Sequence, residues 1–347
     1  MISNQVIWRS PSNIAFVKYW GKKGFQIPAN PSLSMALSVS HTQTAVTFSP
    51  VSNPGHISFE FSFENRNNPA FAEKIGRYLE NLSNEFPFIK QHHFFIESKN
   101  TFPHSSGIAS SASAMSALAL CICDIWQNLE KTWMPVDDFY RKASFVARIG
   151  SGSAARSLFT GISLWGKTPL QPVSSDEFAI PVNENMHPVF AGLRDSILVT
   201  SKGVKKVSSR EGHRLMENHP MASARYIQAN QNLEKTLKAL ESGNFEHFAE
   251  IVENEAFTLH AMMMTSMPGY MLMNAATVQI IQKIRDFREQ TATDICFTLD
   301  AGPNVHVLYP GSSEPAVKRF IENELRIFCE EGFIIHDRMG IGPLKIR

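Results

Sequence analysis

Cysteine is scarce and unpaired. Cys121, Cys123, Cys296 and Cys329 are the only four in 347 residues, and no two of them form a CxxC pair. The closest two sit in an apolar segment and read as small core residues, which argues against a disulfide framework or a zinc ribbon and fits a reducing cytoplasm. Net charge is almost absent too: 33 basic side chains face 32 acidic ones, a balance of +1. No global field gathers nucleic acid or an anionic membrane surface, so each basic residue has to be judged where it stands.

Long hydrophobic runs are also missing. The longest, around residues 114 to 126, is short and interrupted by serine and aspartate, and the opening "MISNQVIWRS" has no basic start followed by an apolar stretch. The expectation is a protein with neither export signal nor membrane span. No internal repeat or low-complexity tract occurs, which sets solenoids aside. No GK[ST] follows the glycine of "SSGIASSASA", so that stretch is not a Walker loop.

What is present is ample apolar material, 43% over 347 residues, enough for two cored domains. "HISFEFSF" alternates Ile57, Phe59, Phe61 and Phe63 with polar residues, the period of a strand with one wet face, and "TAVTFSP" ahead of it reads as a neighbouring strand. Phe71, Ile75, Tyr78, Leu79 and Leu82 fall at helical spacing, and "HHFFIES" follows as a strand. Turn formers crowd residues 166 to 188, which places a domain boundary near 185: 1–185 and 186–347. Beyond it come the strand "SILVTS", helical patterns through about 210 to 290, the strand pair "DICFTLD" and "VHVLYP", and a terminal helix from about 314 to 332. Strands and helices without regular alternation point to an α+β class.

Four stretches carry chemistry. In "PHSSGIASSASAMSALAL" small residues run without a break into Ala112, Met115, Leu118, Leu120, Ile122 and Trp126, the pattern of a buried helix. Gly107 permits close backbone approach, Ser105 or Ser106 can cap, and first-turn N–H groups with the Ser110 and Ser111 hydroxyls suit an anion. A helix that uses alanine and serine only to approach a sheet reads equally well from this stretch alone. The second turn, "ARIGSGSAARSLFTGISLW", sets Ser151, Ser153 and Arg156 together, a guanidinium fork with hydroxyls that suits a carboxylate or phosphate. The alternative there is an ordinary turn with a surface arginine.

In the third stretch, "SPSNIAFVKYWGKK", Lys18 and Lys22 are bracketed by Tyr19 and Trp20 and do not look like a solvated charge run. In the fourth, "TLDAGPNVHVLY", Asp300 ends a strand pattern ahead of a tight turn. It is either a rigid base at a pocket edge or the head of an Asx turn, and spacing does not separate the two. Lys202, Lys205 and Lys206 read as a solvated loop face. His260 and the methionines at 262 to 264 read as packing, and His104 as a capping or solvent-facing residue.

Taken in order, "NIAFVKYWGK", "PSLSMALS", "FPHSSGIASSASA", "RIGSGSAARSL", "KVSSREG", "FTLHAMMMTSMP" and "TLDAGPN" closely resemble the mevalonate diphosphate decarboxylases of the GHMP kinase superfamily. The resemblance runs from about residue 10 to beyond 305 and implies an N-terminal domain like ribosomal protein S5, a ferredoxin-like C-terminal domain, and a site in the cleft between them. It implies a homodimer, ATP as co-substrate with Mg²⁺, and mevalonate 5-diphosphate as substrate. Phosphorylation of the tertiary 3-hydroxyl, then loss of that phosphate with CO₂, gives isopentenyl diphosphate.

By the same resemblance Asp300 orients or deprotonates the 3-hydroxyl, Arg156 holds the substrate carboxylate with Ser153 and Ser151, and Lys18 and Ser111 bear on the transferred phosphoryl group. Tyr19, Lys22, Ser208, Ser209 and Arg210 are the diphosphate candidates. Ser98, Asn100, Ser106, Gly107, Ile108, Ala109, Ser110 and Ser111 are the ATP candidates, with Ser111 also toward Mg²⁺. The chain departs from the family pattern at Lys23-Gly24 after "KYWGK", at His104-Ser105-Ser106 before Gly107, and at Ala155 in place of cysteine. A mevalonate 5-phosphate decarboxylase, a mevalonate 3-kinase, and a non-catalytic phosphometabolite-binding protein are the competing readings.

Overall fold

A computed structural model describes residues 4–103, 108–203 and 207–347. Val6 and Trp8 alternate with half-buried neighbours at the start of β1 (Gln5–Val17), and beyond Ser10 the strand is buried on both faces. It pairs antiparallel with β4 (Ser32–Pro50) in a register broken twice, between Pro11 and Asn13 and between Ala15 and Val17. Those irregularities bend β1 just before Lys18, and irregularities of this kind re-aim side chains beside functional sites. The short pair β2 (Lys22–Gly24) and β3 (Ile27–Pro28) forms the hairpin that follows.

β5 (Ser58–Phe63) and β6 (Arg66–Asn67) lead into α1 (Pro69–Leu82), which Asn68 caps by accepting the Phe71 N–H at 3.2 Å. β7 (His92–Asn100) then pairs antiparallel with β4 and parallel with β5. The expected adjacency of "TAVTFSP" and "HISFEFSF" is therefore corrected. α1 is a crossover helix between parallel strands, and it places β7 between the two. α2 (Ser110–Glu130) and α3 (Val136–Gly150) cover the sheet, and β8 (Ile162–Trp165) with β9 (Ala179–Pro181) extends it from β4.

α2 lies close on the sheet because its inner face is alanine, serine and cysteine. Ser116 meets Ser10 and Ser113 meets Thr42, both at 2.6 Å between hydroxyl oxygens. Around it Phe94, Leu79, Leu118, Ile122 and Val146 share one buried core, each contributing roughly 1.5–3 kcal/mol by leaving water.

The chain continues through α4 (Pro188–Ala191), β10 (Arg194–Leu198), α5 (Ser209–Leu215), α6 (Ala222–Ser242), α7 (Phe245–Met264) and α8 (Ala275–Thr291). β11 (Cys296–Leu299), β12 (Val305–Tyr309), α9 (Glu314–Phe320) and β13 (Ile334–Arg338) follow. The second sheet has the order β11-β12-β10-β13. Its α9 ends at Phe320 and gives way to π and 3₁₀ turns as far as Phe328, so the expected long terminal helix is broken into shorter pieces.

A shared core joins the two sheets: Phe16, Leu33 and Leu164 from the first pack with Ile197, Leu308, Leu233 and Phe248 from the second half. The Asp337 carboxylate adds a polar tie, accepting the N–H groups of Ser38, Val39 and Ser40 at 2.7–2.8 Å. The chain finally returns to the first sheet as β14 (Leu344–Lys345) against β1, an element with no sequence signature of its own.

Candidate active site

Lys18 leaves the end of β1 and Asp300 leaves the end of β11, so the seam between the halves brings together residues 282 positions apart. The Lys18 ammonium donates to the Ala15 carbonyl at 2.6 Å and lies 3.5 Å from the Asp300 carboxylate. Lys18 is 2% exposed, and its pKa is pushed down by burial, with Asp300 and Glu255 pulling the other way. The Asp300 carboxylate thus faces a cation at the seam, while the tight turn is closed by backbone, Gly302 N–H to Asp300 C=O at 2.7 Å.

Arg156 sits in the 3₁₀ turn Gly152–Leu158 that follows α3. Its Nε donates to Ser34 Oγ at 2.9 Å and its Nη1 donates to Ser32 Oγ, so β4 fixes the plane of the fork. Burial lowers its pKa to about 10, opposed mainly by Asp300. The alternative of a surface arginine is excluded, because Arg156 is 3% exposed. The turn is tight around it: a Cβ on Gly152 would lie 2.8 Å from both the Trp165 ring and Tyr19 Oη.

Hydroxyls line the adjoining wall. Ser111 Oγ lies 3.3 Å from Ser151 Oγ, which lies 3.4 Å from Ser153 Oγ. α2 begins at Ser110 with Ala109 at the cap position and no side-chain cap bond, and its first residues, Ser110 and Ser111, border the cleft. The serine cap expected at 105 or 106 is not what starts this helix, and Ser105, Ser106, Gly107 and His104 lie outside the described residues. The reading of this stretch as a helix packed closely on a sheet is seen directly. Its inner serines dock the helix on the sheet, and its first turn opens on the cleft.

Lys18, Asp300, Arg156, Ser110, Ser111, Ser151, Gly152 and Ser153 line one cleft of about 550 Å³, together with Tyr19, Lys22, Ile108, Ala109, Ser208, Ser209 and Arg210. Ser98 and Asn100 lie beyond it, lining an apolar cavity of about 90 Å³ with Phe61, Phe63, Phe71 and Ile96. Ser110, Ser111, Phe71 and Lys74 border both spaces. An apolar slot opening past hydroxyls and helix N–H groups into a cationic cleft matches a base, a phosphate chain and an anionic acceptor, in that order.

Residues 10–179 match the model for a diphosphomevalonate decarboxylase-like N-terminal domain, and residues 196–335 match the mevalonate 5-diphosphate decarboxylase C-terminal domain. The diphosphomevalonate decarboxylase of Candida albicans is 30% identical over 330 residues, 89% of this chain and 85% of that one. The chain belongs to the diphosphomevalonate decarboxylase family. The crystal structure of mevalonate diphosphate decarboxylase from Staphylococcus aureus superposes with a TM-score of 0.83 at 28% identity, over 99% of this chain and 98% of that one. A structure described as MDDEF in complex with MVAPP, AMPPCP and magnesium superposes with a TM-score of 0.81 at 26% identity, over 99% of both chains. The architecture is the α+β GHMP kinase fold.

Several side chains that border the family cleft were not legible in the motifs. Lys74 and Arg77 from α1 line it with Lys22 and Arg210. Burial, reinforced by Arg210, Lys22 and Arg77, pushes the Lys74 ammonium down to about 8. Burial and Arg210 lower Lys22 in the same way. Such crowding of like charge is unfavourable unless an anion sits among them.

His213 is a second omission. Its ring lies 4.2 Å from Tyr19 and 4.7 Å from Trp20 between centroids, and its Nδ1 accepts the Gly21 N–H at 3.0 Å. The proton is thereby assigned to Nε2. Burial first, then Lys22 and Arg156, hold its pKa down to about 3, so the ring stays neutral and docks α5 against the site.

The remaining expectations fall as follows. The Ser208 hydroxyl already accepts the Glu211 N–H at the start of α5. Tyr19 Oη is buried without a hydrogen-bond partner. Lys202 is ion-paired with Glu331 over the Phe333 ring rather than simply solvated, and Lys205 and Lys206 lie outside the described residues. His260 is buried and its Nε2 lies 3.1 Å from the Asp300 carbonyl oxygen. Met262 and Met263 are core, packed with Trp20 and Leu259.

Proposed function

We propose that this chain carries out the ATP-dependent decarboxylation of mevalonate 5-diphosphate to isopentenyl diphosphate, releasing ADP, phosphate and CO₂ on the mevalonate route to isoprenoids. The observation that carries this reading is the pairing, in one cleft, of an acid and a guanidinium. Asp300 stands against Lys18, and Arg156 is held rigid by Ser32 and Ser34. A phosphoryl transfer alone needs no clamp for a carboxylate and no acid facing the carbon that becomes electron-poor.

In this reading the 3-hydroxyl attacks the γ-phosphorus of ATP while Asp300 orients it and takes its proton, with Lys18 and Ser111 on the transferred group. The C3–O bond to phosphate then breaks, the C1–C2 bond gives up its electron pair to form C2=C3, and CO₂ leaves. Arg156, with Ser153 and Ser151, holds the carboxylate in line with the departing phosphate. Tyr19, whose hydroxyl lacks a partner, takes the diphosphate with Lys22, Ser208, Ser209 and Arg210. Ser98, Asn100, Ile108, Ala109, Ser110 and Ser111 take the nucleotide, with Ser106 and Gly107 assigned there by resemblance.

Magnesium fits this chain through the nucleotide rather than through a carboxylate cage. Among the described residues no group of three or more His, Cys, Asp or Glu side chains stands together, whereas the Ser111 hydroxyl stands at the cleft beside Ser151. Mg²⁺ commonly keeps phosphate oxygens and waters with few protein ligands, and Ser111 is the side chain that would hold it here. When bound it neutralises charge on the β- and γ-phosphates.

We place the domain boundary near 185, a position between the two family matches. A homodimer in the cytoplasm rests on the resemblance and on the four buried, unpaired cysteines. Among the described residues no helix is long and apolar enough to cross a membrane. Light scattering at twice the chain mass supports the dimer; a single chain mass refutes it.

The deciding experiment offers mevalonate, its 5-phosphate and its 5-diphosphate separately with ATP and Mg²⁺, following ADP and CO₂ together. Equal amounts from the diphosphate alone are expected. ADP without CO₂ makes the protein a 3-kinase, equal release from the monophosphate moves the substrate, and tight binding without product makes it a binding protein.

Lys74 yields a pH prediction. Its ammonium, held down to about 8, is mostly charged at pH 7 and loses its proton as pH rises through 8, whereas a bound phosphate pulls its pKa upward. The KM for ATP is therefore expected to climb above pH 8, by up to tenfold per pH unit. Lys74→Met is expected to raise KM at pH 7 and leave it flat across that range. An unchanged pH dependence in the variant removes Lys74 from the nucleotide site.

A further inference from the structure

Outside the residues that touch the cleft, the molecule holds a fully buried ion pair whose position is hard to explain as packing alone. Arg225 on α6 and Glu255 on α7 are both at 0% side-chain exposure and lie 2.6 Å apart. Glu255 Oε1 accepts Arg225 Nη1 at 3.0 Å and Asn232 Nδ2 at 2.7 Å, while Oε2 accepts Arg225 Nη2. The remaining donor to Oε2 is the backbone N–H of Lys18, at 2.8 Å. On the other side of the same residue, the Lys18 carbonyl accepts Asn30 Nδ2 at 3.0 Å and Arg225 Nη2 at 3.4 Å.

Both backbone groups of Lys18 are thus gripped by a charged network from the opposite half of the molecule. Lys18 follows directly after the second register break of β1, where no strand ladder holds it. A neutral acceptor would satisfy one N–H as well, and burying a carboxylate is costly unless its charge serves something. That charge neutralises the Arg225 guanidinium, and it also favours the charged form of the Lys18 ammonium. That group is buried, faces Asp300 and Glu255 as anions and Arg156 as a cation, and is held down by desolvation with the two carboxylates opposing it. Tyr19, next in sequence, is kept neutral by burial, and His260 lies against the Asp300 carbonyl.

We propose that Glu255 is a positioning residue for Lys18, fixing the lysine backbone through the Arg225–Glu255–Asn232 network so that its ammonium is aimed at the transferred phosphoryl group. The role at the phosphoryl group rests on the function proposed above, whereas the grip on Lys18 does not.

The test is Glu255→Gln, nearly the same shape without the charge. Expected is a fall in kcat of about 10- to 100-fold, with KM for ATP and for mevalonate 5-diphosphate within twofold, since Glu255 borders neither. The basic limb of the kcat profile should move to lower pH, because an anion that favours the charged lysine is gone. Glu255→Asp should recover part of the loss.

A readout independent of turnover is the pH at which Lys18 becomes reactive to an amine-selective acylating reagent, mapped by mass spectrometry. In Glu255→Gln it should drop by about one unit, and it does so even if the wild type proves catalytically silent. If Glu255→Gln does not fold, the double variant Arg225→Leu/Glu255→Leu, which leaves no lone buried charge, carries the same measurements. A folded variant with kcat within threefold and an unmoved Lys18 labelling midpoint overturns the proposal. So does loss of the fold in both, which would assign the network to stability.

Discussion

Asp300→Asn is expected to lower kcat by about 10³ while leaving KM for ATP within a few-fold. Asparagine keeps the shape of the side chain at the end of β11 and the turn closed by the Gly302 N–H. What it removes is the proton acceptor and the negative charge beside Lys18 and Arg156. Both cations have Asp300 as the largest influence favouring their charged forms, so both pKa values fall further in the variant. The basic limb of any residual activity should therefore shift to lower pH as well. Measuring ADP and CO₂ separately divides the effect. If Asp300 serves the attack of the 3-hydroxyl, both products fall together. If it serves only the electron-poor carbon, ADP continues without CO₂. A kcat within tenfold of wild type would remove Asp300 from the chemistry.

The parts of this site that could be seen in the sequence are those built from short turns, where composition and local geometry coincide. Glycine and serine at 150–153 announce a tight turn, as Gly302 and Pro303 do after Asp300, but the burial of Arg156 and the contact of Asp300 with Lys18 are seen only in the fold. Lys74 and Arg77 were illegible for a physical reason. On an amphipathic helix such as α1 a charged face ordinarily meets water, and only the crossover that lays α1 beside the cleft turns part of that face toward Lys22 and Arg210. Glu255 and Arg225 sit in helical patterns 30 residues apart, and nothing local announces that both reach the same lysine. The strand errors have the same source. The parallel pairing of β5 with β7 and the return of β14 to β1 are set by long-range closure rather than by any periodicity within the strands. His213 was missed because a histidine on a short surface helix reads as solvated until Tyr19 and Trp20 are seen on either side of it.

Arg156→Lys should separate the two halves of the reaction. In the native site Nε and Nη1 are committed to Ser34 and Ser32, which orients the fork while leaving its other edge for an acid group. Lysine keeps a charge but has one nitrogen. It can bond a β4 hydroxyl or point at the substrate, and it cannot hold a plane. Phosphoryl transfer to the 3-hydroxyl does not require the carboxylate to be fixed, but loss of CO₂ does, because the breaking C1–C2 bond must align with the C3–O bond to the leaving phosphate. A displacement of about 1 Å at such a step costs on the order of 10²-fold. The expected result is a fall of about 10² in CO₂ release with a smaller fall in ADP formation, so that the ratio of CO₂ to ADP drops below one in a single-turnover experiment and a 3-phosphorylated species accumulates. A ratio that stays at one, with both products reduced equally, would place Arg156 in phosphoryl transfer and not at the carboxylate. Full activity in the lysine variant would show that charge alone suffices there, and the fork held by Ser32 and Ser34 would then be a packing device.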